Sequence, residues 1–180
     1  MSNAYRASFA TIALLAASTA YAATTTYIGD LTGPAESPPN ASPATGTTTV
    51  AYTASSQMLQ VNVTFSGLVG TTTASHIHCC TALAGTGTAG VATQTPTFSG
   101  FPLGVTAGTY AQTFDLTLAS SFNPTFVTAN GSVGAAETAL VTGIANGKAY
   151  LNIHSSVFGG GEIRAFLLPR SIFVDGFEGP

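Results

Sequence analysis

Residues 58–66 alternate without a break: Leu59, Val61, Val63 and Phe65 point one way, and Gln60, Asn62, Thr64 and Ser66 point the other. A period of two is the mark of a strand with one buried face, and a helix cannot satisfy it. Just before it, Thr48, Val50 and Tyr52 alternate with Thr47, Thr49 and Ala51, and the short polar link 54–57 makes the two runs a hairpin. Further strands are predicted at 25–31, 73–79, 109–117, 148–154 and 162–168. Residues 32–46 and 81–108, rich in Pro, Ser, Gly and Thr, read as long surface loops. One short helix is predicted at 135–144, where Ala136, Leu140 and Ile144 share a face. A second is predicted after Asn123-Pro124, with Asn as cap and Pro at the first helical position. Many strands joined by long crossing links predict an all-β Greek-key sandwich with one or two short helices and long loops.

The ends of the chain read differently. Residues 1–23 carry one charge, Arg6, then an apolar run from Ala7, and close on Ala20-Tyr21-Ala22. That is the pattern of a secretory signal peptide with an A-x-A cleavage site. The apolar run falls short of the about 20 residues needed to span a bilayer. The expected domain is 24–168. The segment 169–180, with Ile172-Phe173-Val174-Asp175-Gly176-Phe177-Glu178, reads as a terminus or tag, and it resembles short IFxDGFE-like endings of exported proteins of gram-negative bacteria. Beyond residue 23 only Lys148, Arg164 and Arg170 are basic, against seven acids. So few cations argue against a nucleic-acid partner and against anchorage to anionic lipid. The expected location is outside the cytoplasm: periplasm, cell surface or medium.

Chemistry concentrates in one place. The chain has three histidines. His76 and His78 flank Ile77 on a predicted strand and therefore project from one face, about 7 Å apart. His154 ends a strand whose Leu151 and Ile153 face the core, so it too lies on the outer face. Three neutral imidazoles suit copper or zinc. If the last two strands form a hairpin, His154 falls opposite Glu162 and Asn152 opposite Arg164. Glu162 is then placed to fix the tautomer of a ligating histidine, with Arg164 and Asn152 beside it. The alternative is a polar cross-strand ladder of small energetic value. Cys79 and Cys80 follow the H-x-H pair directly, and alternation puts Cys80 on the histidine face. They can form a vicinal disulfide, pair with another molecule, or serve as thiolate ligands, and an oxidising compartment favours the disulfide. No serine nucleophile elbow, catalytic carboxylate pair or phosphate-binding glycine loop is present, so the residues do not point to an enzyme. The expected role is a non-enzymatic binding or structural module. The alternative is a copper or zinc metalloprotein, as redox enzyme or metal carrier.

Four blocks carry a resemblance to the CHRD domain family, named after repeats in chordin. These are Leu31-Thr32-Gly33 with Glu36-Ser37-Pro38-Pro39 and 42–46; Phe65-Ser66-Gly67-Leu68; Ala74-Ser75-His76-Ile77-His78; and 149–154 with Gly160-Gly161-Glu162-Ile163-Arg164. Cys79-Cys80 and the insert 98–130 depart from the pattern. The resemblance implies an immunoglobulin-like or superoxide-dismutase-like β-sandwich in an extracytoplasmic protein. The H-x-H strand is also similar to the copper strand of Cu/Zn superoxide dismutase. This chain has no fourth histidine to act as a bridging ligand, so dismutase activity is not implied.

Overall fold

The computed structural model describes residues 23–170; the predicted leader, except its last residue, and the tail beyond Arg170 lie outside them. Strands β1 (Thr24–Thr32), β2 (Thr45–Thr53) and β3 (Met58–Ser66) form an antiparallel meander. The alternation in β3 is realised residue by residue: Leu59, Val61, Val63 and Phe65 are buried, while Gln60, Thr64 and Ser66 are exposed. Then the chain crosses over. Strand β4 (Thr72–His78) opens the far edge, β5 (Gly108–Asp115) returns to pair with β3, and β6 (Tyr150–Ser155) pairs with β4. Strand β7 (Ile163–Phe166) joins β6 to β1, and the two-residue β8 (Leu168–Pro169) extends that edge. The spatial order is β4-β6-β7-β1-β2-β3-β5, with every pairing antiparallel.

The sheet curls into an all-β sandwich-like or barrel-like body. Segment 91–105 runs beside β4. It bonds the free edge of β4 through Ala92 N–H to the Ile77 carbonyl, Phe98 N–H to Ser75 and Gly104 N–H to Thr72. Strand β4 thereby loses the row of open donors and acceptors that invites aggregation.

Two helices close one end. Asn123 caps α1 (Pro124–Asn130) by accepting from the Thr125 amide, and Ser132 caps α2 (Val133–Ala145) by accepting from Ala135. Helix α2 buries Ala136, Leu140 and Ile144, the predicted stripe, against the sheet interior. Gly143 lets it come close, because a Cβ there would collide with the sulfurs of both Cys79 and Cys80. The predicted helix, capped segment and hairpin are therefore all present, and the helix runs two residues further at its start than the apolar stripe alone marks.

Strand β6 is buried on both faces. Leu151 and Ile153 enter the core, while Tyr150, Asn152 and His154 lie beneath a roof of loops contributed by residues 33–44, 81–98 and 156–161. That roofed outer face holds the candidate site.

Candidate metal centre

Pairing of β4 with β6 places His76 opposite Asn152 and His78 opposite Tyr150, with His154 opposite Ala74. All three histidines thus share one face. Each offers one ring nitrogen, and these nitrogens lie within 4.8 Å of one another. Ring centroids are 5.2 Å apart for His76 and His154, 5.7 Å for His76 and His78, and 6.2 Å for His78 and His154.

Backbone carbonyls decide which nitrogen each ring turns inward. His76 Nε2 lies 2.6 Å from the Pro96 oxygen, His78 Nδ1 2.9 Å from Ala89 and His154 Nδ1 2.9 Å from Gly159. A carbonyl oxygen only accepts, so His76 Nε2 and His154 Nδ1 carry the hydrogen and donate it. His78 faces an accepting oxygen at both ring nitrogens, Ala89 at Nδ1 and Asn152 Oδ1 at Nε2. In a neutral ring the other nitrogen of His76 and of His154 is then a lone pair. These two, His76 Nδ1 and His154 Nε2, are buried with no hydrogen-bond partner. An orphaned buried acceptor costs about 1–3 kcal/mol, and two aimed at one another's neighbourhood mark a place for a shared partner.

Burial disfavours the charged form of His76 and His78. Burial pushes the His76 pKa down to about 4, outweighing the favourable Pro96 contact, and neighbouring His154 and His78 lower it further. Burial also lowers His78, against the hydrogen bond to Ala89. Neutral imidazole is the form a metal binds.

Around the rings, Asn152 Oδ1 sits 3.1 Å from His78 Nε2. Tyr150 stacks on His78 with centroids 4.8 Å apart and planes 4° from parallel, and the Arg164 guanidinium covers the other side of Tyr150 at 4.7 Å. Arg164 is pinned by the carbonyls of Ala35 and Gly87 and lies 3.8 Å from Glu36. Burial raises the Glu36 pKa to about 7, outweighing Arg164, the Ser37 amide and Asn152.

Glu162 lies elsewhere. Strand β7 starts only at Ile163, and the Glu162 carboxylate turns into the protein, where it accepts from Ser42 Oγ (2.7 Å), the Val69 amide (2.6 Å) and the Gly70 amide. The position expected for it, beside His154 Nδ1, is taken by the Gly159 carbonyl. Asn152 and Arg164 face each other across β6 and β7 in the register read from the hairpin. The cysteines also leave the histidine face. Strand β4 ends at His78, the alternation stops, and both sulfurs lie together against the Ala139 carbonyl of α2. Tyr150 and Glu36 were not singled out from sequence. The i, i+2, i+4 spacing of Tyr150, Asn152 and His154 signals the first, whereas nothing local signals the second.

Among the described residues no helix is long and apolar enough to cross a membrane. Compared with known proteins, residues 27–167 match the family described as the CHRD domain. No curated protein and no solved structure matches.

Proposed function

The chain belongs to the CHRD domain family, and on that premise we propose that it is an exported, non-enzymatic module that binds one copper or zinc ion through His76, His78 and His154. The observation that carries this reading is the pair of buried, partnerless ring nitrogens, His76 Nδ1 and His154 Nε2, beside the inward-facing His78 Nε2. Binding would draw one nitrogen of each ring, now within 4.8 Å of the others, to the usual metal–nitrogen distance of about 2.0–2.1 Å. The Pro96 and Gly159 carbonyl contacts pre-set the tautomers of His76 and His154, which keeps the ordering cost of binding low. The residues would supply binding and orientation; no side chain among those facing the rings is placed as a nucleophile or general base. The metal would act as a structural or carried ion.

Metal content tests this. The chain exported into a bacterial periplasm and purified without chelator is expected to carry near-stoichiometric copper or zinc by elemental analysis, and His154→Ala to carry almost none. A metal-free chain that also fails to take up either added ion leaves a binding or structural module without a metal.

We also infer that Cys79 and Cys80 form a vicinal disulfide. Their adjoining sulfurs in the notch left by Gly143 support it, as does the leader-like sequence of residues 1–23, which would send the chain to an oxidising compartment. In exported protein both cysteines should resist alkylation until a reductant is added, which reaches them through exposed Cys80. Alkylation of either without reductant would sink the assignment.

A further inference from the structure

We propose that the three-histidine centre is selective for a monovalent soft cation, copper(I), over divalent copper or zinc; the inference rests on the metal-binding reading above. The ground is charge. The donor set is three neutral nitrogens, and among the described residues no carboxylate or cysteine joins the cluster. The nearest acids are committed or blunted. Glu162 is bound to Ser42, Val69 and Gly70, and Glu36 is buried beside Arg164. The cation Arg164 reaches the site through the Tyr150–His78 stack and is paired with Glu36 at 3.8 Å, so the surroundings add no free negative charge to balance a dication.

A divalent ion buried there would keep both its charges uncompensated unless it brought its own anion, and stripping water from a dication is costly. Zinc would complete its tetrahedron with a water or an anion beside the three histidines, and that added ligand too would have to be accommodated in the buried site. A closed-shell copper(I) ion accepts three nitrogens and carries half the charge.

The cluster has a built-in counter-test. Asn152 Oδ1 is 3.1 Å from His78 Nε2, so Asn152→Asp puts an anion beside the site with little change of shape. The experiment is oxygen-free competition of the purified chain for copper(I) against bicinchoninate. Parallel competitions for copper(II) and zinc(II) use a chromophoric chelator. The expected result is one copper(I) per chain, held about a hundredfold or more tightly relative to zinc(II), with the preference narrowed about tenfold in Asn152→Asp. Tighter zinc(II) or copper(II) binding that depends on the same histidines overturns the selectivity and leaves the metal site standing. An unchanged preference in Asn152→Asp overturns the charge argument. Absence of any histidine-dependent ion overturns the metal reading itself, and this inference with it.

Discussion

Saturation with the cognate ion should raise the melting temperature of the chain by on the order of 10 °C, and His76→Ala should abolish the rise. A ligand that binds only the folded state stabilises it by RT ln(1 + [L]/Kd), about 4 kcal/mol at free metal a thousandfold above Kd. For a domain of this size each kcal/mol is worth about 2–4 °C. The site makes the effect large, because the apo fold leaves His76 Nδ1 and His154 Nε2 buried without partners, and the ion satisfies both. Comparing each protein with and without metal cancels the cavity that the substitution leaves. Equal rises in the parent and in His76→Ala would place the metal elsewhere.

The apo chain also carries a pH signature. His76 has its folded pKa lowered to about 4 from an ordinary 6.5. Between those values the unfolded chain binds more protons, so apo stability is present above about pH 6.5 and drains away as pH falls toward about 4. Bound metal should flatten that slope, since the ion holds the nitrogen the proton would take.

The second large effect belongs to a residue outside the cluster. Glu162→Ala should cost about 3–5 kcal/mol of unfolding free energy, measured by urea titration. Its carboxylate is fully buried and ties its own segment to two others: Ser42 from the loop after β1, and Val69 and Gly70 from the loop before β4. Removing it leaves a hydroxyl and two amides without an acceptor, each worth about 1–3 kcal/mol. Glu162→Gln keeps the shape and loses one acceptor oxygen, so it should cost less. Burial alone would raise the Glu162 pKa. The hydroxyls of Ser155 and Ser42 and the amides of Val69 and Gly70 outweigh it and hold the group below its ordinary value of 4.5. A depressed carboxyl stabilises above its unfolded pKa, and that contribution is lost as pH falls through the folded value. The parent should therefore lose stability below about pH 4.5 more steeply than Glu162→Gln. Metal affinity of Glu162→Gln should stay within about twofold, because Gly159 rather than Glu162 holds His154. A drop of about tenfold or more is what loss of a residue orienting a ligand produces, and it would return Glu162 to that role.

Within the strands, which face a residue occupies was legible in the sequence. The alternation of β3, the Asn152–Arg164 register, the Asn123-Pro124 cap and the shared face of His76, His78 and His154 all follow from periods of 2 and 3.6 and from local turn chemistry. These rules act between neighbours along the chain, so the chain records them. What lies across that face was not legible. The tautomers of His76 and His154 are set by carbonyls of Pro96 and Gly159, which belong to loops, and a carbonyl carries no side-chain signature. Alternation also failed where its strand ended. Gly161, at φ +130°, breaks the extended run and sends Glu162 inward, while the end of β4 at His78 lets Cys79 and Cys80 pack on α2. The histidine face is a local property of the strands. The loops that roof it, and so choose the nitrogens it presents, are placed only when the curled sheet brings distant segments together.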